Sequence, residues 1–142
     1  MAGIRVNTGA KKIEVNDDGD CIVLNFSDSS FVDRFFAMYD RIRKRADEAV
    51  PQAKEIDAQY QAGSEDHIRA GAALYRNLHE DIAGEIDGFF GPDTCKKVFG
   101  DIVPGIEHYD DFFQQLMPYF KEFGEERAVR MSKYSAARMG NV

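Results

Sequence analysis

The fold is decided by residues 11–46, which read KKIEVNDDGDCIVLNFSDSSFVDRFFAMYDRIRKRA. Up to Phe26 apolar and polar side chains alternate, which is the period of a β-strand, whereas after Phe26 the apolar residues recur every three or four positions, as in a helix. Turn-forming residues interrupt the alternation at Asn16–Gly19, where a glycine can adopt positive φ. We therefore expect a β-hairpin over residues 11–26, to which Ile4 and Val6 could add a short third strand.

A long helix is expected after the hairpin. Ser30 is a suitable N-cap, because a hydroxyl oxygen can accept a hydrogen bond from a free backbone N–H of the first turn. An apolar stripe then runs from Phe31 to Tyr60. Pro51 falls inside the stripe and removes one helical hydrogen bond, so we expect a kink or break near Val50. Gly63 is expected to end this segment.

Further helices are expected in the rest of the chain. The second has Ser64 as its N-cap and stops at Gly91–Pro92. Its apolar stripe consists of Ile68, Tyr75, Leu78, Ile82, Ile86 and Phe89. A short helix then runs to Phe99, and residues 101–105 form a loop. A third long helical region starts near Glu107, is split or kinked by Pro118, and frays beyond residue 125.

The predicted fold class is α+β and mostly α, with an N-terminal β-hairpin followed by a bundle of three to five helices. We expect a single domain over residues 1–142, made of a hairpin region (1–28), a helical body (29–124) and a polar C-terminal helix or tail (125–142). The residues expected to carry the core each lie on a helical stripe, and they are Phe31, Phe35, Ile42, Leu78, Ile82, Phe112 and Leu116.

Composition indicates a globular protein of 142 residues, with 44% apolar and 30% charged side chains. The net charge is −7, and residues 46–90 carry all of this excess, with 3 basic and 10 acidic side chains. Such a balance argues against general binding to nucleic acid or to anionic membranes. No apolar run approaches the ~20 residues of a membrane helix, and the N-terminus does not resemble a signal peptide. We therefore expect a cytoplasmic location, with Cys21 and Cys95 reduced and packed separately.

Sequence patterns typical of catalytic or metal sites are missing. There is no HExxH, no nucleophile elbow and no phosphate-binding loop. Asn16–Asp20 lacks the distal glutamate of a calcium loop, so a hairpin turn is the better interpretation. His67, His79 and His108 fit surface or partly buried positions. We assign no catalytic, metal-binding or cofactor-binding residue, and expect a protein that is not an enzyme and needs no cofactor.

Adjacent phenylalanines occur three times, and each pair widens the apolar face of a helix, because consecutive helical residues point ~100° apart. One interpretation is that two neighbouring elements bury each pair within the chain. The other is that one member of each pair contacts another chain, in a homo-oligomer or with a different protein. On this second interpretation the contact residues flank the main stripes, and they are Phe36, Phe90, Phe113, Met117 and Phe120.

A basic cluster, consisting of Arg41, Arg43, Lys44 and Arg45, lies on the first predicted helix. Four charges in five residues could contact phosphates, although nucleic acid is the less favoured partner. Alternatively, the cluster faces the acidic middle third of this chain or of a partner, as charged helix surfaces often do.

The order of these patterns resembles the tail-assembly-chaperone-like proteins of prophages and long-tailed phages. The similarity is carried by KKIEVNDDGDCIVLNF, SFVDRFFAMYDRI, IDGFFGPDTCKKVFGDIVPG, DDFFQQLMPYF and KYSAAR, which together span most of the chain. The resemblance implies a non-enzymatic protein that coats the tape-measure protein during tail assembly in the bacterial host cell. It also implies that relatives often occur in a longer frameshifted form, and it supplies no catalytic residues.

Two other functions stay open at this point. The chain could be a structural tail component, such as a connector or completion protein, which would remain in the finished virion. It could also be a small regulatory phage protein that binds nucleic acid through residues 41–45, and its affinity for DNA would then depend strongly on salt.

Overall fold

The computed structural model of the chain describes residues 3–6 and 9–140. Two strands come first, β1 (Lys11–Glu14) and β2 (Cys21–Leu24). The helices that follow in the described part of the chain are α1 (Ser29–Gln59), α2 (Glu65–Phe90), α3 (Thr94–Phe99) and α4 (Ile106–Gly140). The predicted fold class is therefore confirmed: α+β, mostly α, with a hairpin first and four helices. The end of the predicted tail, residues 141–142, lies outside the described residues.

The hairpin forms as the alternation predicts. Strands β1 and β2 pair antiparallel, with Ile13 opposite Ile22. In the turn, the side-chain oxygen of Asn16 accepts hydrogen bonds from the backbone N–H groups of Asp18 and Asp20, at 2.9 and 3.2 Å. Gly19 has a φ of 85°, which glycine adopts without steric cost. The segment Asn16–Asp20 therefore forms a hairpin turn, as expected.

A third strand does not form from Ile4 and Val6. Residues 3–6 have no strand structure, and both apolar side chains are exposed. Two side chains bury too little apolar surface to offset the entropy lost when a further strand becomes ordered.

Helix α1 begins one residue earlier than Ser30, and its N-cap is Asp28. The Asp28 carboxylate accepts hydrogen bonds from the backbone N–H and the hydroxyl of Ser30, at 2.9 and 2.6 Å. These bonds lower the pKa of Asp28 below its usual 3.8, because they favour the charged carboxylate. The predicted cap at Ser30 is wrong because the Asp28 carboxylate accepts from the N–H of Ser30 itself, so Ser30 lies inside the first turn of the helix.

Both long helices continue through their internal prolines, so neither Pro51 nor Pro118 breaks its helix, and the alternative of a kink at each proline stays a prediction. A proline in a helix interior costs roughly 3 kcal/mol, and packing on either side can offset that cost. In α1 the stripe stays inward on both sides of Pro51, with Ala49 buried and Ile56 half-buried. Helix α1 ends at Gln59, and Gly63, with a φ of 80°, lies in the turn that follows.

Helix α2 has the predicted N-cap, since the Ser64 hydroxyl accepts a hydrogen bond from the His67 N–H at 3.1 Å. The helix stops at Phe90, directly before Gly91, as predicted. Its stripe is buried at Leu78, Ile82 and Ile86.

The prediction is wrong for the N-terminal part of that stripe, because Ile68 and Tyr75 are exposed. The pairs Asp57–His67 and Arg45–Asp81 set an antiparallel register between α1 and α2. Between these two pairs the half-buried positions of α2 include Ala70 and Ala73. Together with the half-buried Leu74, these small residues lie on the covered face of this part of α2, and Ile68 and Tyr75 point away from it.

The short helix α3 ends at Phe99 as predicted, and it is bounded by Asp93 and Gly100. Two hydrogen bonds attach it to its neighbours. The Cys95 N–H donates to the Asp87 carboxylate of α2 at 2.9 Å, and the Asn16 amide donates to the Lys97 carbonyl oxygen at 3.0 Å. The hairpin turn is thereby joined to α3.

The chain divides between Gly105 and Ile106 into two compact units, the second of which begins with α4. The single domain expected over residues 1–142 stays a prediction, and α4 runs without interruption through residues 124 and 125, where the helical body was expected to give way to the C-terminal helix or tail. The division falls in the loop at residues 100–105, where glycine and proline interrupt helical hydrogen bonding. No helix within residues 3–6 and 9–140 has the length and apolar character needed to span a membrane.

The predicted core is confirmed. All seven residues expected to carry it are buried: Phe31, Phe35, Ile42, Leu78, Ile82, Phe112 and Leu116. Leu24 and Phe26, at the end of the hairpin, are also buried, as their alternation predicts.

Candidate protein-contact surface

An aromatic cluster is centred on Phe35 of α1, which is 0% exposed. The rings of Phe36, Phe89 and Phe90 lie 5.4, 5.8 and 6.4 Å from the Phe35 ring, between centroids, in edge-to-face geometry. Tyr39 stacks on Phe35 with ring planes 6° apart. Aromatic pairs in these geometries contribute about 0.5–1.5 kcal/mol beyond their buried area. The cluster therefore fixes the end of the α1–α2 pair next to the hairpin.

The margin of this cluster is partly accessible. Phe36 is 38% exposed, and Tyr39, Phe89 and Phe90 are half-buried. The adjacent pair Phe35–Phe36 thus divides as helical geometry requires, with one ring inside and its neighbour at the surface. Phe36 and Phe90 keep the accessible area that a contact residue needs.

Phe113 behaves differently from the other predicted contact residues. It is 3% exposed, and its ring lies 5.3 Å from that of Phe112, which is also buried. Both rings are buried, so Phe113 has no accessible surface through which to contact a partner chain. The prediction that Phe113 is a contact residue is therefore wrong. Met117 and Phe120 are half-buried.

The basic cluster divides into two halves. The Arg41 Nε lies 2.9 Å from a Glu85 carboxylate oxygen, and the Arg45 Nε lies 2.6 Å from an Asp81 carboxylate oxygen. Both pairs join α1 to α2, so these two arginines face the acidic middle third of their own chain. Arg43 and Lys44 are exposed on α1, and the Arg43 guanidinium lies 5.6 Å from the centre of the Tyr39 ring.

An open groove lies along one face of the α1–α2 pair, with a volume of about 380 Å³. Its floor consists of Ala37, Gly84 and Gly88, which are all exposed. A β-carbon added at either glycine would meet no atom within 4 Å, so the space above the helix backbone is open. We call this feature the α1–α2 groove.

Charged and aromatic side chains line the edges of the α1–α2 groove: Arg34, Arg41, Glu85 and Phe89. The Arg34 guanidinium lies 5.9 Å from the centre of the Phe89 ring and 3.0 Å from an Asp28 carboxylate oxygen. Arginine and aromatic residues are enriched at protein interfaces. The sequence contained one signal for this groove, the spacing of Gly84 and Gly88 by four residues, and hydrophobic periodicity does not detect it.

The two cysteines have opposite environments. Cys95 is buried, and burial together with the neighbouring Asp87 carboxylate raises the pKa of its thiol to about 12. The thiol is therefore protonated at neutral pH and is a poor nucleophile. Cys21 is exposed on β2, so the packing role predicted for it is wrong. Cys21 lies on the outer face of β2 together with Val23, whereas Ile22 and Leu24 of the same strand are buried.

His67 is part of the turn between α1 and α2. Its Nε2 lies 2.8 Å from an Asp57 carboxylate oxygen, and its Nδ1 accepts a hydrogen bond from the Gly63 N–H at 3.2 Å. Both ring nitrogens are thus used in holding the turn. Within the described ranges, no group of three or more His, Cys, Asp or Glu side chains is placed to hold a metal ion.

A family model described as a family of unknown function (DUF6673) matches residues 18–141. The matched range includes all of α1, α2, α3 and α4, and hence the α1–α2 groove. No curated protein and no solved structure matches the chain.

Proposed function

The chain belongs to DUF6673, a family of unknown function, and we propose that it is a non-enzymatic phage tail assembly chaperone. In this role it binds the tape-measure protein in the cytoplasm of the bacterial host during tail assembly. The similarity in the order of sequence patterns supports the proposal. The structural observation that carries it is the α1–α2 groove, an exposed channel with a floor of small residues between arginine and phenylalanine side chains.

The shape of the α1–α2 groove allows a helix to pack against it. Helices pack with their axes 8–10 Å apart, and the distance depends on the side chains at the contact. At Ala37, Gly84 and Gly88 almost no side chain stands between the backbone and an incoming ligand. The apolar stripe of an amphipathic helix can therefore lie on this floor with close contact, next to the Phe89 ring.

The arginines at the groove edges favour acidic residues in the bound helix. Arg34 and Arg41 already pair with Asp28 and Glu85 in exposed contacts. Each guanidinium has five N–H donors, so donors remain for a carboxylate of the ligand. Exposed ion pairs are worth only ~0–1 kcal/mol, so the guanidinium groups can also reorient at small cost.

Binding of tape-measure segments to the purified chain tests the proposal. Helical peptides that cover the tape-measure protein encoded by the same phage would be titrated by calorimetry. Gly84→Leu fills the groove, and we expect it to weaken binding at least about tenfold, which is a loss of ~1.4 kcal/mol. Leucine is a better helix former than glycine by ~1 kcal/mol, so lost binding would not reflect lost folding.

Gly71→Leu is the matched control. Gly71 lies on the same helix and also has open space at its β-carbon position, but it does not line the groove. This variant should bind like the wild type. If no tape-measure segment binds, or if Gly84→Leu binds as tightly as Gly71→Leu, the proposed role of the groove is wrong.

The finished virion separates the chaperone from a structural tail component. A chaperone leaves the tail once assembly is complete, so the chain should be missing from purified virions in mass spectrometry. Finding it there in stoichiometric amount would favour the connector or completion protein. The nucleic-acid alternative predicts an affinity for DNA that falls steeply with salt, so a titration of the chain against DNA at two salt concentrations tests it.

A further inference from the structure

The C-terminal part of α4 is helical and exposed throughout. Every residue from Gly124 to Arg138 is exposed, including apolar side chains such as Met131 (55%) and Tyr134 (58%). This part of α4 continues a helix that is already anchored by buried residues such as Phe112 and Leu116. Most helix stability in proteins comes from the packing of one face, so an exposed helical segment is stabilised by a partner that covers one of its faces. We call residues 125–138 the C-terminal arm.

One face of the arm combines apolar and basic groups. Arg127, Met131, Tyr134 and Arg138 follow one another at intervals of four, three and four residues, which places them on a single stripe. The Arg138 guanidinium lies 5.7 Å from the centre of the Tyr134 ring on this stripe. The arm contains four basic and two acidic side chains, a net charge of +2, in a chain whose net charge is −7.

The turn region of the α1–α2 pair carries the opposite charge. Residues 46–66, which we call the acidic tip, contain six acidic side chains and one basic side chain, a net charge of −5. All seven are exposed. Glu48 and Glu55 are seven residues apart and therefore share a face of α1, on which the exposed Pro51 lies between them.

We propose that the C-terminal arm of one copy of the chain docks on the acidic tip of a second copy. The stripe from Arg127 to Arg138 supplies cations around an apolar centre, and the tip supplies the carboxylates of Glu48 and Glu55 on either side of Pro51. Two copies related by a two-fold axis would make this contact twice, which closes the dimer. The inference does not depend on the proposed function, since the arm and the tip lie outside the α1–α2 groove.

Charge reversal is a sharper test than salt, because each copy carries −7 and salt would screen their mutual repulsion as well as the local attraction. The dissociation constant of the full chain would be measured by sedimentation equilibrium. We expect Arg127→Glu combined with Arg138→Glu to weaken the dimer at least about tenfold, since two attractive contacts become repulsive on each arm.

Arg5→Glu combined with Lys12→Glu is the matched control. It also replaces two exposed basic residues and changes the net charge by the same amount, but at the N-terminal end of the chain. We expect it to leave the dissociation constant within about threefold of the wild type. Adding Glu48→Arg and Glu55→Lys to the arm variant should restore most of the lost affinity, because the opposite charges then face each other again.

Three outcomes would overturn the inference. The first is a wild-type chain that stays monomeric at a concentration of about 100 μM, which lies well above the dissociation constant of a specific dimer. The second is an oligomer that responds equally to the arm variant and the control, since a general charge effect would then explain both. The third is an oligomer indifferent to the arm variant, since another surface, such as that around Phe36, would then hold it. Circular dichroism at 222 nm would verify that each variant remains folded.

Discussion

Adjacent residues of one helix have very different roles at the residue scale, and Phe35 and Phe36 show this most clearly. Phe35 is the centre of the aromatic cluster, whereas the neighbouring Phe36 lies at its accessible margin. The sequence predicted that one ring of each phenylalanine pair would lie on the main stripe. It could not show which of the second rings would stay accessible, because that depends on which elements surround the helix. Phe36 remains partly exposed and Phe113 does not.

Replacement of these two rings by alanine should have unequal effects. We expect Phe35→Ala to lower the free energy of unfolding by about 3–5 kcal/mol, because a buried cavity forms. Phe36→Ala should cost under about 1 kcal/mol, since the ring is already partly in water. Urea denaturation followed by circular dichroism measures both values. Equal losses for the two variants would contradict the burial described for this pair.

The two thiols should react at very different rates. Cys21 is exposed, whereas burial and Asp87 raise the pKa of Cys95 to about 12, so almost none of the Cys95 thiol is ionised at pH 8. Since the thiolate is the reactive species, a maleimide should label one thiol quickly and the other only on unfolding. Cys21→Ser should remove the fast phase, and Cys95→Ser should leave it intact. Fast labelling of both thiols in the folded chain would show that Cys95 is accessible.

At the scale of elements, the sequence predicted those features that depend on interactions between residues close together in the chain. The hairpin follows from alternation and from a turn that Asn16 and Gly19 can form by themselves. The N-cap of α2 and its end at Gly91 follow in the same way. Of the kink or break expected at Pro51 and at Pro118, the break does not occur, because the local cost of a proline competes there with packing that the sequence pattern does not quantify.

Helix α1 should become more stable without its internal proline. Pro51→Ala restores a backbone N–H that can donate to the carbonyl oxygen four residues earlier, so we expect the free energy of unfolding to rise by about 1–3 kcal/mol. Pro92→Ala is the control, because Pro92 lies between α2 and α3, where no helical hydrogen bond is lost. Thermal and urea unfolding measure the difference. A destabilised Pro51→Ala variant would show that the proline holds a geometry that α1 requires.

The candidate contact surface at the scale of the whole molecule could be predicted only in part. Large apolar residues and charge runs can be read from a sequence, and they led to Phe36, Phe90 and the basic cluster. The α1–α2 groove is defined by missing side chains at Ala37, Gly84 and Gly88, so no hydrophobic pattern marks it. Which arginines of the basic cluster form ion pairs within the chain also depends on the acidic residues that α2 places opposite them.

The ion pairs between α1 and α2 have a consequence for the alignment of the two helices. Their shared seam contains alanines, such as Ala49 and Ala53 on α1 and Ala70 and Ala73 on α2. In this part of the pair, methyl groups would meet nearly as well if one helix slid along the other by one turn, ~5.4 Å. That slide would separate Arg41 from Glu85, Arg45 from Asp81 and Asp57 from His67 at the same time. Each of these exposed pairs is worth only ~0–1 kcal/mol, so the three together add a small preference for the alignment that large buried side chains, such as Ile42 and Ile82, already favour.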